Sequence, residues 1–304
     1  MLFYKRLPIV LAMGHSVSRP DNPSLGILLM ILTTMIFAVQ DGISRYLAEN
    51  YNVLTIVMIR YWAFALFVIA LSHYRGGVRS IAKTSRPLLQ FGRGMLLVFQ
   101  ICLAVWAFTL VGLVNFQAVF ASYPLTVTAI SALFLGEKVG WRRWAAILVG
   151  MIGVIIALRP GAGMFSPVML VPLACTMCFA VYSALTRYVA RDDAPQTSFF
   201  WTGIGGAVGI TFIGPFFWLP PAGLDWYWMA LLCITGMAGH FTLIKAYQVS
   251  EASTVQPFAY FQLVFASAVG IWAFGDLVDV YIITGGTIIV GAGLFTFWRE
   301  RQLR

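Results

Sequence analysis

Polar and charged side chains are scarce in this chain, and the few inside its long apolar runs are where any chemistry has to be sought. Asp41, Arg60, Arg93 and His240 are the ionisable groups set in such runs. A charge in hydrocarbon costs roughly 3 kcal/mol or more, so each needs a partner or a water-filled cavity. Asp41 shares a helical face with Phe37 and Ser44 and could meet the cation of a ligand. Arg60 has two readings, a gate or substrate-charge contact and one half of a buried structural ion pair. Arg93, near the end of its run, can snorkel to the headgroups. His240 could carry a proton near neutral pH, or serve as a neutral hydrogen-bonded helix contact.

Uncharged groups add to these. Gln40, Gln100, Asn115, Gln117, Tyr123, Tyr182, Gln256, Tyr260 and Gln262 could line a cavity for a small polar molecule, or join helices by hydrogen bonds. Gln256 and Tyr260, four apart, are expected on one face of a helix. Trp106 could supply an apolar wall or an interface anchor. Pro124, Pro172 and Pro257 fall inside apolar runs, where a missing N–H bends a helix and frees a carbonyl, as a hinge or as passive curvature.

Catalysis finds little support. The three histidines are scattered, no carboxylates stand at metal spacing and no phosphate-binding loop is present. Cys175-Thr-Met-Cys178 lacks a second pair, so no metal site is expected. The expectation is a protein that is not an enzyme, needs no cofactor and contains no primary pump.

The elements that must position these residues follow from composition. Of 304 residues, 60% are hydrophobic and 10% charged, and mean hydropathy is +0.86. So much apolar surface demands lipid as solvent. The net charge of +9 is spread between apolar runs rather than gathered on a polar domain, which argues against nucleic acid. Runs at 24–46, 53–72, 86–111, 115–135, 142–158, 167–188, 196–217, 226–248, 252–273 and 280–298 predict ten spanning helices. The start, "MLFYKRLPIVLAMGHSVSRP", mimics a signal peptide. Pro8 interrupts its apolar run and no small-x-small cleavage site follows, so a retained tail along the membrane surface is expected.

Lys5, Arg6, Arg19, Arg75, Arg79, Lys83, Arg86, Lys138, Arg142, Arg143, Arg187, Arg191, Lys245, Arg299, Arg301 and Arg304 fall on the side of the N-terminus. The opposite side has Arg45 and Arg159. Both termini are therefore expected in the cytoplasm.

"MIFAVQDGISRYLA" at 35–48 returns as "MCFAVYSALTRYVA" at 177–190, an offset of 142. "LFLGEKV" returns as "WAFGDLV", which sets Gly136 and Glu137 opposite Gly275 and Asp276, an offset of 139. The chain thus writes five helices twice. Five is odd, so the second copy is inverted in the membrane, the plan of secondary transporters with a site between the halves. The expected units are a tail at 1–23, halves at 24–158 and 167–298 joined by a linker at 159–166, and a tail at 299–304.

With "VMIRYWAFALF" in helix 2, "YPLTVTAISALFLGEKV" in helix 4 and its Phe-Gly-Asp copy after helix 9, the chain resembles the drug/metabolite transporter superfamily, EamA type. Within it the chain is similar to bacterial amino-acid exporters, including those for aromatic amino acids. The resemblance implies an all-α fold of ten helices in two inverted repeats in the bacterial inner membrane. It implies a small-molecule substrate exported by alternating access, with another metabolite, a drug-like cation or a channel as alternatives. Substrate contacts are expected from Gln40, Asp41, Gln100, Trp106, Tyr123, Tyr182, His240, Gln256 and Tyr260, and gating or structural roles from Arg60, Pro124 and Pro257. Membrane lipids are the other expected partners, around a monomer. Arg60 departs from strict symmetry, since helix 7 reads "FFWTGIGG" and has no base there.

Overall fold

The computed structural model describes residues 22–74, 77–134, 140–158 and 167–301, so the N-terminal tail, the linker and the Leu-Gly-Glu turn lie outside the described residues. The described residues are helical, with no strand among them. The helices are α1 (Pro23–Ala48), α2 (Val53–Tyr74), the single turn α3 (Val78–Ile81), α4 (Pro87–Phe120), α5 (Tyr123–Phe134) and α6 (Trp141–Leu158). The second half has α7 (Leu170–Val189), α8 (Pro195–Thr211), α9 (Asp225–Val249), the turn α10 (Ala252–Val255), α11 (Phe261–Phe274) and α12 (Val280–Arg301). α1, α2, α4, α7, α9 and the stretch Gln256–Phe274 are each long and apolar enough to cross a membrane. Proline opens α1, α4 and α8, where its missing N–H costs no hydrogen bond.

Two of the ten expected helices are discontinuous. α4 holds all of helix 3 and the start of helix 4, folded apart at Gly112, whose φ of 77° belongs to the left-handed region. Helix 4 then breaks again at Ala121–Ser122 before α5 resumes it. Its counterpart, helix 9, runs as α10, a 3₁₀ segment (Gln256–Tyr260) and α11. The prolines explain part of this. Pro124 and Pro257 are each the second residue of a new segment, so they start helices rather than bend them in the middle. Pro172 likewise sits in the first turn of α7. Helix 7 is shorter than its apolar run, because α8 stops at Thr211 and a 3₁₀ turn covers Gly214–Phe217.

The halves interlock. α1 packs on α9 of the other half, as α7 packs on α4; α2 pairs with α8, and α6 with α12. This is a bundle of two inverted five-helix repeats. Its main apolar core draws on both halves, from Met30 and Phe37 through Leu97 and Phe108 to Phe179, Leu243 and Tyr247. α4 and α8 meet backbone to backbone. A Cβ on Gly94 would lie 2.8 Å from the Trp201 carbonyl oxygen, and one on Gly205 would lie 2.8 Å from that of Phe91. At Gly209, by contrast, the neighbour is the flexible thioether of Met95. Gly94→Ala or Gly205→Ala should therefore cost about 1–3 kcal/mol, since backbone cannot swing aside, and Gly209→Ala distinctly less. Thermal melts of the three detergent-solubilised variants would check that ranking.

Candidate functional site

The bundle encloses a narrow cavity between the halves, lined by Phe37, Gln40, Asp41 and Ser44 of α1, Arg60 of α2, Gln100 and Phe108 of α4, Phe179 of α7, His240 of α9 and Gln262 of α11. Phe116 and Phe120, from the second arm of α4, complete its aromatic side. Its volume is about 40 Å³, room for a water molecule or two and too small for a metabolite. Asp41 lies seven residues before the end of α1, and Arg60 seven residues into α2. At 1.5 Å per residue both stand about 10 Å below the face opposite the termini, here the far face.

Neutral amides hold the two charges. Gln117 Nε2 and Gln262 Nε2 donate to Asp41 Oδ2 at 3.0 and 3.2 Å. Arg60 Nη2 donates to Gln40 Oε1 at 2.8 Å. Among the described residues no ion pair joins Asp41 to Arg60, so the structural-pair reading of Arg60 gives way to an amide-linked guanidinium. Gly236 of α9 makes room for that guanidinium: a Cβ there would lie 2.6 Å from Arg60 Nε. His240 is 3% exposed, and neither ring nitrogen has a hydrogen-bond partner among the described residues. Its ring is tilted against Phe37 at 5.1 Å and edge-on to Tyr182 at 6.2 Å. Phe37 and Phe179, which occupy matching places in the 142-residue repeat, both contribute to the wall.

Of the residues singled out from sequence, Gln40, Asp41, Arg60, Gln100, His240 and Gln262 meet at this cavity, and Gln117 reaches it through Asp41. Gln100 also donates to Cys175 Sγ at 3.0 Å, tying α4 to α7. The others stand elsewhere. Trp106 is half exposed on the bundle's outer surface, because its place on α4 turns away from the neighbouring helices. Tyr123 and Tyr182 are buried one layer behind the wall, packed on Phe179. Gln256 and Tyr260 do not share a face, because their segment is 3₁₀ with three residues per turn. Gln256 donates to Tyr247 Oη at 2.7 Å, while Tyr260 packs with Leu125, Ile147 and Ile289. The phenylalanine walls were missed, although Phe116 and Phe120 are four apart and Phe37 and Phe179 repeat.

Arg93 does not reach the headgroups. It is fully buried toward the terminal face, donating to Gln90 Oε1 (2.9 Å), Thr186 Oγ1 (2.9 Å), the Ser198 carbonyl (2.6 Å) and Thr202 Oγ1 (2.9 Å). Gln90 passes the charge on to Asp193 at 2.7 Å. On the far face, Arg45 Nη1 meets both carboxylate oxygens of Asp276 at 2.7 and 2.8 Å, and its guanidinium lies 4.2 Å from the Phe274 ring centre. Asp276 Oδ2 also accepts from the N–H groups of Leu113 (2.9 Å) and Val114 (3.2 Å), capping the helix that restarts after Gly112. One carboxylate therefore ties α1, α4 and α11 together above the cavity.

The family model for the EamA-like transporter family matches residues 24–159 and again 166–298. The chain belongs to that family. It is 26% identical over 280 residues to an S-adenosylmethionine uptake transporter of Rickettsia felis, covering 91% of this chain and 94% of the relative. It is 29% identical over 302 residues to a riboflavin transporter of Vibrio cholerae, covering 95% and 98%. A solved structure at 20% identity superposes with a TM-score of 0.67, over 93% of this chain and 98% of that one, and shares the fold. This EamA-family chain is thus a membrane transporter of small metabolites.

If Asp276 closes the far face, Asp276→Ala should open it. In a background lacking the four native cysteines, Ser44→Cys places a thiol in the cavity. A membrane-impermeant reagent should label that thiol several-fold faster when Asp276 is replaced, and an unchanged rate would mean that the contact does not close this face.

Proposed function

We propose that this transporter exports amino acids, bulky neutral and aromatic ones included, across the bacterial inner membrane by alternating access. The observation that carries this reading is the lining of the cavity. Glutamines, a histidine and one charge of each sign are set among Phe37, Phe108, Phe116, Phe120 and Phe179 at the junction of two inverted halves. Amides can replace the water stripped from a zwitterion without adding an unpaired charge, and the rings suit a bulky apolar side chain. The gates above and below, Arg45–Asp276 and the Arg93 cage, are built across the half-to-half seam that alternating access must open.

A second reading has its own support. S-adenosylmethionine ends in an α-amino acid group, so the similarity to uptake transporters for it favours the same head-group chemistry with inward flow. Reconstituted in liposomes, the protein should move phenylalanine saturably and with counterflow. Flux of S-adenosylmethionine but not phenylalanine would favour the second reading, and flux of riboflavin alone would exclude both.

The basic residues support a placement with both termini in the cytoplasm. Tags on the two ends should be digested by protease only after the inner membrane is opened. Digestion in intact spheroplasts would reverse the assignment.

A further inference from the structure

Within the cavity, the arrangement of unused hydrogen-bonding capacity is more specific than its general polarity. Asp41 Oδ2 is occupied by Gln117 and Gln262, while Oδ1 receives no hydrogen bond from the described residues. Arg60 spends one Nη2 bond on Gln40, and its Nε and Nη1 spend none on the described residues. Both ring nitrogens of His240 and the Oε1 of Gln262 are buried without partners. Opposite charges buried in one apolar cavity would ordinarily close on each other, because their attraction strengthens as water leaves. Here neutral amides hold each charge, and among the described residues no ion pair joins the two.

The groups also fall at two ends. The acceptor end is Asp41, backed by the broken helices through Gln117 of α4 and Gln262 of α11. The donor end is Arg60, backed by Gln40 of α1 and the glycine notch of α9.

We propose that the substrate is held by both of its charges at once and in one orientation: its ammonium against Asp41 at the α4/α11 end, its carboxylate against Arg60 at the α2/α9 end, and its side chain between Phe37, Phe108 and Phe179. His240 lies beside the donor end and supplies an N–H to the carboxylate. The inference rests on the cavity being the substrate site. It assigns Asp41 and Arg60 as separate determinants of specificity, neither a fixed structural ion pair. A molecule with one of the two charges leaves the other protein charge buried and unanswered, which is expensive. Single-charge analogues should thus be rejected although they fit.

The test is competition against phenylalanine uptake into proteoliposomes, with N-acetylphenylalanine (carboxylate alone) and phenylalanine methyl ester (ammonium alone). With the native protein each analogue should compete at least about thirtyfold more weakly than phenylalanine. Asp41→Asn should weaken phenylalanine and narrow the gap for the N-acetyl compound but not the ester. Arg60→Gln should do the converse. A residue with a merely structural role would depress all three compounds alike, and that result, or native protein that accepts either analogue as well as phenylalanine, overturns the proposal. Thermal melts would identify a variant that has failed to fold, and Asp41→Glu and Arg60→Lys then carry the test, each keeping its charge and its preference. If the native protein moves no phenylalanine, the amino-acid reading fails by itself. The same comparison is then made with S-adenosylmethionine and its carboxyl methyl ester, and the absence of flux for both parents overturns the two-point site as well.

Discussion

A polar group deprived of water inside a membrane has to find its partner within the protein, and in this bundle a side chain that bonds beyond its own helix usually meets the opposite half. Arg93 of the first half is surrounded by Thr186, Ser198 and Thr202 of the second. Arg45 of the first half is held by Asp276 of the second, and Asp41 by Gln262. Thr33 of α1 meets Thr242 of α9 at 2.8 Å, and Gln100 of α4 meets Cys175 of α7. The apolar surface gains little from choosing one neighbour over another in lipid, so these contacts together with close backbone packing decide which surfaces of the halves meet. In the alternating-access cycle proposed above, the same contacts have to be exchanged when the halves rock. On that proposal stability and the transport cycle draw on one set of bonds.

The broken helices extend that argument inward. An uninterrupted helix satisfies its own backbone and offers a ligand only side chains. Helix 4 instead begins at the Gly112 corner and breaks again within the bundle, as helix 9 does, and each fresh start leaves N–H groups that need an acceptor. At Leu113 and Val114 the acceptor is the carboxylate of Asp276, whose own position depends on the left-handed Gly275 that ends α11. A turn at the end of one half thus completes a helix of the other. Just beyond that restart Gln117 reaches Asp41, so the far-face contact and the cavity are joined through a few residues of α4.

How much of this was legible follows from what each feature depends on. The spans, the duplication and the inversion were legible because hydropathy and the recurrence of a motif at 35–48 and 177–190 are properties of the chain itself. Asp41, Arg60 and His240 were legible as misfits in apolar runs. Trp106 and Tyr123 were misplaced because aromatic content says nothing of which side of a helix faces inward. Gln256 and Tyr260 were misplaced for a different reason: a spacing of four means a shared face in an α-helix, and a proline had turned that segment into 3₁₀. Arg93 resembled a snorkelling residue since its cage comes from α7 and α8, remote in sequence. The pairing of Arg45 with Asp276 joins residues separated by 231 positions, and the repeat pointed to the Phe-Gly-Asp turn without revealing its partner.

The missing base in helix 7 is where symmetry and function separate. Arg60 sits where α2 meets α1 and α9, and the inverted equivalent is where α8 meets α7 and α4. In the repeat Thr202 stands where Arg60 does, and Thr202 accepts from Arg93, which enters from α4. Each junction therefore has a buried guanidinium, but from a different helix. The surroundings then divide them. Arg93 has Gln90, Thr186, Ser198 and Thr202 as partners and a carboxylate behind Gln90, which leaves it little to offer a ligand. Arg60 has one amide, a glycine notch and an open cavity. Had both junctions kept the same arginine with the same neighbours, the carrier would present either two equal sites or none. Moving one guanidinium from the second helix of a half to the third helix of its partner converts that junction into a fastening. The other is left able to play the binding role proposed above, and on that proposal the inverted repeat holds a single site to one side of its symmetry axis.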